Sequence, residues 1–223
     1  MTPKIHNVLG MTNAQVAALQ YGLIGFLAVW GTLLVPQLVL QLARYGRPRL
    51  RRLVTTAAVV FYACMALAVV FLPLPSANGR RLEQTVQLRP FQWIADIHTE
   101  LVKHGLSAAH WFSTQTFQQV ALNVLLFVPL GIFARVLWRR GLVGALAVGT
   151  TVSLAIEITQ LTANFGTAPF VYRIFDVDDL MTNTFGAGLG WLFGALLLAL
   201  RAIPSAIHAQ PAGRERIDLA QTR

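Results

Sequence analysis

Five apolar runs of about bilayer length, separated by short basic links or longer polar stretches, constrain this chain more than any other feature. A hydrocarbon core about 30 Å thick takes roughly 20 residues of helix at about 1.5 Å each. Residues 21–42, 54–72, 117–137, 142–161 and 184–200 come close to that length or exceed it. No water reaches the backbone inside a bilayer, so each run has to satisfy its own N–H and C=O groups, which an α-helix does. The predicted fold class is all-α, a polytopic membrane helical bundle of five transmembrane helices, with Pro36 as a kink in the first. Composition agrees, because 55% hydrophobic and 12% charged residues fall far from the roughly 25% charged of a soluble domain. Residues 1–203 read as one transmembrane domain and 204–223, polar and Ala-rich, as a disordered cytoplasmic tail. The N-terminal stretch has only Lys4 before a polar lead, and the run after it is too long for a signal-peptide core, so it is expected to stay attached.

A net charge of +9 suggests nucleic acid when the basic residues share a soluble face. Here they sit in short links between spans, where they act as topology signals, and no nucleic-acid partner is predicted. The link and tail positions on one side carry 12 lysines and arginines, five of them in 44–52, against 6 on the other side. That bias puts the tail in the cytoplasm and the N-terminus and both polar loops outside. The single cysteine, Cys64, lies within an apolar run and reads as a small buried residue. Residues 76–119 are too long for a hairpin link. Phe91, Ile94, Ala95, Leu101 and Leu106 recur there among charged residues at helical spacing, which predicts an interfacial amphipathic helix with Trp93 and Trp111 at headgroup level. The spacing of His98, Glu100, His104 and His110 fits no familiar ligand pattern, so no metal and no other cofactor is predicted.

The functional site is expected where residues 173–190, R-I-F-D-V-D-D-L-M-T-N-T-F-G-A-G-L-G, run from a carboxylate cluster into a glycine-studded helix. Asp179, Asn183, Gly186 or Ala187, Gly190 and Gly194 share one helical face, and Gly186, Gly190 and Gly194 are read as a packing strip. On the fourth span Gly149, Ser153, Glu157, Gln160 and Asn164 form a second stripe of small and polar residues. Asn123 stands 16 residues from Arg139, Glu157 17 from Arg140 and Asn183 18 from Arg201. At about 1.5 Å per residue these three sit at roughly 24, 25 and 27 Å, near one edge of a core about 30 Å thick. A carboxylate at depth costs on the order of 2.5–3.5 kcal/mol, so Glu157 needs a partner, a proton or a wet cavity. Arg173 is the one basic residue of its loop and the expected partner. The predicted ligand-binding set is Asn123, Glu157, Gln160, Arg173, Asp176, Asp179 and Asn183. Structural readings stand beside it: Asp176 and Asp179 as a helix cap and first-turn acid, Glu157 with Arg173 as a packing ion pair, and Asn123 as helix-helix glue.

L-R-P-F at 88–91, N-V-L-L-F-V-P-L-G at 123–131, E-I-T-Q-L at 157–161 and the 173–190 stretch resemble motifs of the VanZ-like family of bacterial membrane proteins, named for a protein associated with low-level teicoplanin resistance. The resemblance spans about 88–200. It implies a multi-pass protein of the bacterial plasma membrane with a role in the envelope, and it supplies no agreed reaction. Three functions remain open on sequence. The first is a non-enzymatic envelope protein binding a lipid-linked cell-wall precursor or a glycopeptide-related molecule at the outer leaflet, or another membrane protein through its polar site, with membrane lipids as its other partners. The second is a membrane enzyme acting on a lipid headgroup or lipid-linked sugar, with Glu157 or Asp179 as base and Arg173 holding an anion; paired carboxylates could also hold a divalent cation. The third is a transporter carrying protons on Glu157, disfavoured by five spans without a repeat. Oligomeric state is not fixed by the sequence.

Overall fold

The computed structural model describes residues 13–79 and 81–208, with side chains through 202. Its elements are α1 (Asn13–Tyr45), α2 (Leu50–Phe71), β1 (Val86–Gln87), α3 (Gln92–Lys103), a 3-10 turn (Ala108–Ser113), α4 (Gln115–Val136), α5 (Leu142–Leu161), α6 (Ala163–Gly166), β2 (Phe175–Asp176) and α7 (Val177–His208). Five of these helices, α1, α2, α4, α5 and α7, are long and apolar enough to cross a membrane. The protein is an all-α helical membrane bundle.

The packed centre is α4, α5 and α7, where Phe127, Leu130 and Ala187 form the core and Tyr62, Val148 and Ile156 close around it. Lipid gives helices no hydrophobic reason to associate, so close approach needs small residues. On α7, a Cβ at Gly186 would collide with the carbonyl of Val124 and one at Gly190 with that of Val128. Across the same seam, a Cβ at Gly131 would strike the Ala187 carbonyl. Gly194, the last of the strip, lies under the Arg135 side chain rather than a backbone, with a Cβ there 3.0 Å from the Arg135 Cβ. On the other flank of α7, Gly149 of α5 meets the Ala187 methyl. Thr150 and Thr184 hydroxyls lie 3.0 Å apart, and Asn183 Nδ2 donates to Ser153 Oγ at 2.9 Å.

The α1–α2 hairpin packs on itself through Phe26, which stacks on Trp30 at 5.7 Å and meets Phe61 edge-on at 5.3 Å. It touches the bundle at few points. Tyr62 meets Phe133 edge-on at 5.6 Å, and its hydroxyl donates to the Leu126 carbonyl at 2.9 Å, in the turn that Pro129 deprives of an N–H. Between α2 and the pair α4–α5 an apolar cleft of about 390 Å³ stays open, lined by Tyr62, Val70, Phe71, Leu126, Ile156 and Thr159 among others.

The helix ends depart from the sequence boundaries in a consistent way. The last span begins at Val177, seven residues before 184, and α1 is already helical at Asn13, the first described residue, rather than from 21. Hydropathy treats polar turns as loop, but acids in the first turn of α7 favour the helix through its macrodipole. At the far end α7 runs on to His208, so residues 204–208 of the expected tail are helical, and 209–223 lie outside the described residues. No strand is expected from the sequence. Nonetheless β1 and β2 pair in parallel, Val86 with Phe175 and Gln87 with Asp176, and tie the two polar loops together. Helix α3, in the place predicted for an amphipathic helix, buries Ile97 and Leu101 and exposes Ile94 and Val102. Glu100 of α3 caps α4: its carboxylate accepts from the N–H groups of Gln115 (2.7 Å) and Thr116 (3.1 Å). These donors hold its pKa below the usual carboxylate value.

Candidate functional site

At the polar-loop end of the bundle Glu157, Asp176, Asp178 and Asp179 each hold backbone or amide N–H groups, and together they lace neighbouring elements. Helix α3 opens at Phe91, a left-handed residue with φ 61° and no side-chain cap. Asp178 supplies the cap from α7: its Oδ1 accepts from Phe91 N at 2.6 Å and its Oδ2 from Trp93 N at 3.1 Å. Asp176 Oδ1 in turn accepts from Asp178 N at 2.8 Å, the local cap of α7. Burial, helped by the charges of Asp178 and Asp96, pushes the Asp176 carboxyl up despite that N–H. Asp179 Oδ1 accepts from Asn123 Nδ2 of α4 at 2.6 Å. Glu157, 1% exposed on α5, takes the N–H of Asp176 on Oε2 at 3.1 Å and so fixes β2 against α5.

The α5 stripe is buried throughout: Gly149, Ser153, Glu157, Gln160 and Asn164 all face inward. Asn164 sits in α6, a single turn in the left-handed region, and donates to the Tyr172 hydroxyl at 2.8 Å; that hydroxyl donates to the Phe71 carbonyl at 2.9 Å. Gln160 Nε2 donates to the Val70 carbonyl at 3.2 Å. Arg173 directs Nη2 to the Val69 carbonyl at 3.4 Å. The end of α2, which has no charged residue in its last turns, is therefore held by three side chains from the second polar loop and α5.

These elements enclose a polar cavity of about 350 Å³ lined by Trp93, Asp96, Thr116, Gln119, Gln160, Tyr172, Arg173, Asp176, Asp178 and Asp179, with Leu82, Val120 and Ile174. Of the seven residues predicted from the sequence, Gln160, Arg173, Asp176 and Asp179 line it. Asn123, Glu157 and Asn183 do not line it, and each is bonded to the protein: Asn123 to Asp179, Glu157 to the Asp176 N–H and Asn183 to Ser153. Glu157 takes its hydrogen bond from the Asp176 N–H, and Arg173, the expected partner, interacts with it through charge while its Nη2 bonds the Val69 carbonyl. Sequence reasoning missed Asp178 and Asp96. For Asp178 a signal existed: the L-R-P-F entry to α3 contains no capping residue, so a cap has to come from elsewhere in the chain. The cavity and the apolar cleft are neighbours. Gln160 lines the first while bonding Val70, which lines the second.

Five membrane-length helices closed at one end by laced polar loops over an acidic cavity define a polytopic membrane protein with a polar site at one rim. The VanZ/LLP1 family model matches residues 59–198, and the chain belongs to this VanZ-like family. The matched stretch begins well before 88, the first residue of the resembling motifs, and takes in the half of α2 that borders the cleft. No curated protein and no solved structure matches the chain.

Proposed function

We propose that this VanZ-like protein binds a polar-headed, lipid-linked molecule of the cell envelope, with the head in the acidic cavity and the chain in the apolar cleft. The observation that carries the reading is the junction at Gln160, which lines the polar cavity and donates to the carbonyl of Val70, a residue lining the apolar cleft. Four aspartates against one arginine suit hydroxyl and amide donors of a sugar or peptide head, and Trp93 and Tyr172 offer it apolar faces. Arg173 reaches Val69 of α2 beside the cleft. It is placed to meet a phosphate that joins head to chain. A lipid-linked cell-wall precursor has this chemistry, and holding one at the outer leaflet of the bacterial plasma membrane would connect the protein to glycopeptide resistance, teicoplanin included. Binding is favoured over catalysis because protein N–H groups fix these carboxylates as oriented acceptors, Asp178 through both oxygens and Asp96, Asp176 and Asp179 through one each, leaving the other oxygen for a ligand's donors.

A double-mutant cycle tests it, using a purified polyprenyl-diphosphate disaccharide as ligand. Arg173→Gln is expected to weaken binding about tenfold, a loss of about 1.4 kcal/mol. Asp179→Asn is expected to weaken it similarly, and the pair to lose less than the sum, because both line one site. A glycolipid without phosphate should feel Asp179→Asn and not Arg173→Gln. Strict additivity in folded variants contradicts a shared site.

The orientation that puts this site outside is tested by cysteine labelling in whole cells, with Cys64 first replaced by alanine. His104 and Arg47 are both exposed, at opposite ends of the bundle. A cysteine at 104 is expected to react with an impermeant thiol reagent and one at 47 to be protected until the cells are lysed. The reverse pattern overturns the orientation.

A further inference from the structure

The opposite, arginine-rich end of the α1–α2 hairpin carries a second cavity, outside the residues matched to the family. It measures about 940 Å³ and is lined by Gln37, Gln41, Arg44, Tyr45, Arg49 and Arg52, with Leu40, Ala43, Arg51, Thr55 and Thr56 completing it. Three guanidinium groups converge on one ring: Arg49 lies 3.6 Å from the Tyr45 centroid, Arg52 4.8 Å and Arg44 5.8 Å. The ring offers each cation some attraction, but three like charges this close repel one another, and no carboxylate lines the cavity. Helix α2 also begins here, with no acidic residue in its first turn and no side-chain cap from Arg49. Its positive end and its own arginines add to the same field. The hairpin thus collects positive potential at one spot without supplying a counter-charge among the described residues.

An independent observation points to an occupant. Gln41 is 4% exposed, its Oε1 accepts from Arg49 N at 2.6 Å, and its Nε2, a buried donor, has no partner. Buried amide donors are nearly always satisfied, so this one is open to an acceptor, and Gln37 Oε1, also lining the cavity, is likewise buried without a partner among the described residues. Exposed apolar side chains adjoin the cavity: Leu40, which lines it, is 69% exposed, and Leu50 and Val54 of the same hairpin are exposed as well. We propose that this cavity binds the phosphate of an anionic phospholipid headgroup, seated among Arg44, Arg49 and Arg52 around Tyr45 with Gln41 beneath. Planar guanidinium forks and a helix N-terminus are the groups that recognise phosphate oxygens, and the exposed leucines would lie along the acyl chains.

The test measures retention of phosphatidylglycerol by the full-length protein in mixed micelles, read by native mass spectrometry, against phosphatidylcholine. The folded protein is expected to retain phosphatidylglycerol at least tenfold more strongly. Combined Arg44→Gln, Arg49→Gln and Arg52→Gln should abolish the preference, while Arg47→Gln with Arg139→Gln, two exposed arginines that do not line the cavity, should leave it within about twofold. Should the triple variant not fold, Gln41→Leu and Tyr45→Leu carry the test, each with an expected loss of threefold or more. Equal loss in the control pair would show general surface attraction and overturn the site. Inorganic phosphate should compete weakly. Full displacement at equal concentration would make the occupant a soluble anion and overturn the lipid assignment.

Discussion

Asp178→Ala is expected to lower stability in detergent by about 3–5 kcal/mol, the largest loss from any single carboxylate at the polar-loop end. The estimate rests on two charge-assisted hydrogen bonds worth about 1.5–3 kcal/mol each, whose donors would be left without an acceptor. Those donors, Phe91 N and Trp93 N, start α3, and Asp178 is 4% exposed. Asp178→Asn retains one acceptor oxygen and should recover about half the loss. Asp96, exposed and bonded among the described residues to Gln92 one turn before it, provides the contrast, and Asp96→Ala should cost under about 0.5 kcal/mol. Chemical unfolding followed by tryptophan fluorescence measures all three. Equal effects of Asp178→Ala and Asp96→Ala would mean that α3 does not depend on α7 for its cap.

Gly190→Leu is expected to be as damaging through a different cause. A single Cβ at Gly190 would overlap the Val128 carbonyl, and backbone cannot move aside as a side-chain tip can. Forcing α4 and α7 apart also separates Gly131 from Ala187 and disturbs the core at Phe127 and Leu130. Overpacking of this kind costs about 3 kcal/mol or more. Gly190→Ala should already cost about half as much. Leu197→Ile lies on the same helix, 45% exposed toward lipid, and should change stability by less than about 0.5 kcal/mol. Thermal unfolding in one detergent compares them directly. If Gly190→Leu were as mild as Leu197→Ile, the glycine strip would not be a helix contact.

What could be read from the sequence is what depends on length and periodicity. Five spans follow from runs that only a helix can carry through lipid, and the buried stripe from Gly149 to Asn164 follows from spacing alone. Depth counting put Asn123, Glu157 and Asn183 at one level. In the structure Asn123 pairs with Asp179, a turn above Asn183, and Asn183 pairs with Ser153, a turn below Glu157, so the count was good to about one turn. What could not be read depends on partners far apart in the chain. The cap that Asp178 gives α3 crosses 87 residues, and the two-residue strands β1 and β2 have no local pattern strong enough to announce them. Glu157 takes the Asp176 backbone N–H, which side-chain reasoning does not see, while Arg173 acts on the carboxylate through its charge rather than through a hydrogen bond. The apolar cleft is equally silent in the sequence, since it exists only because α2 stands away from α4 and α5.

The claim that a polar cavity and an apolar cleft form one site for a lipid-linked ligand is tested most directly by what the protein carries out of its own membrane. Native mass spectrometry should be run on wild type, on Asp179→Asn in the cavity and on Ala155→Phe, which fills the cleft without touching the polar residues. The account predicts that wild type retains one amphiphile with a hydroxyl-rich, phosphate-bearing head, and that both variants, folded, lose that same molecule. Retention of it by either variant, or a wild type carrying only bulk phospholipid, would contradict the account.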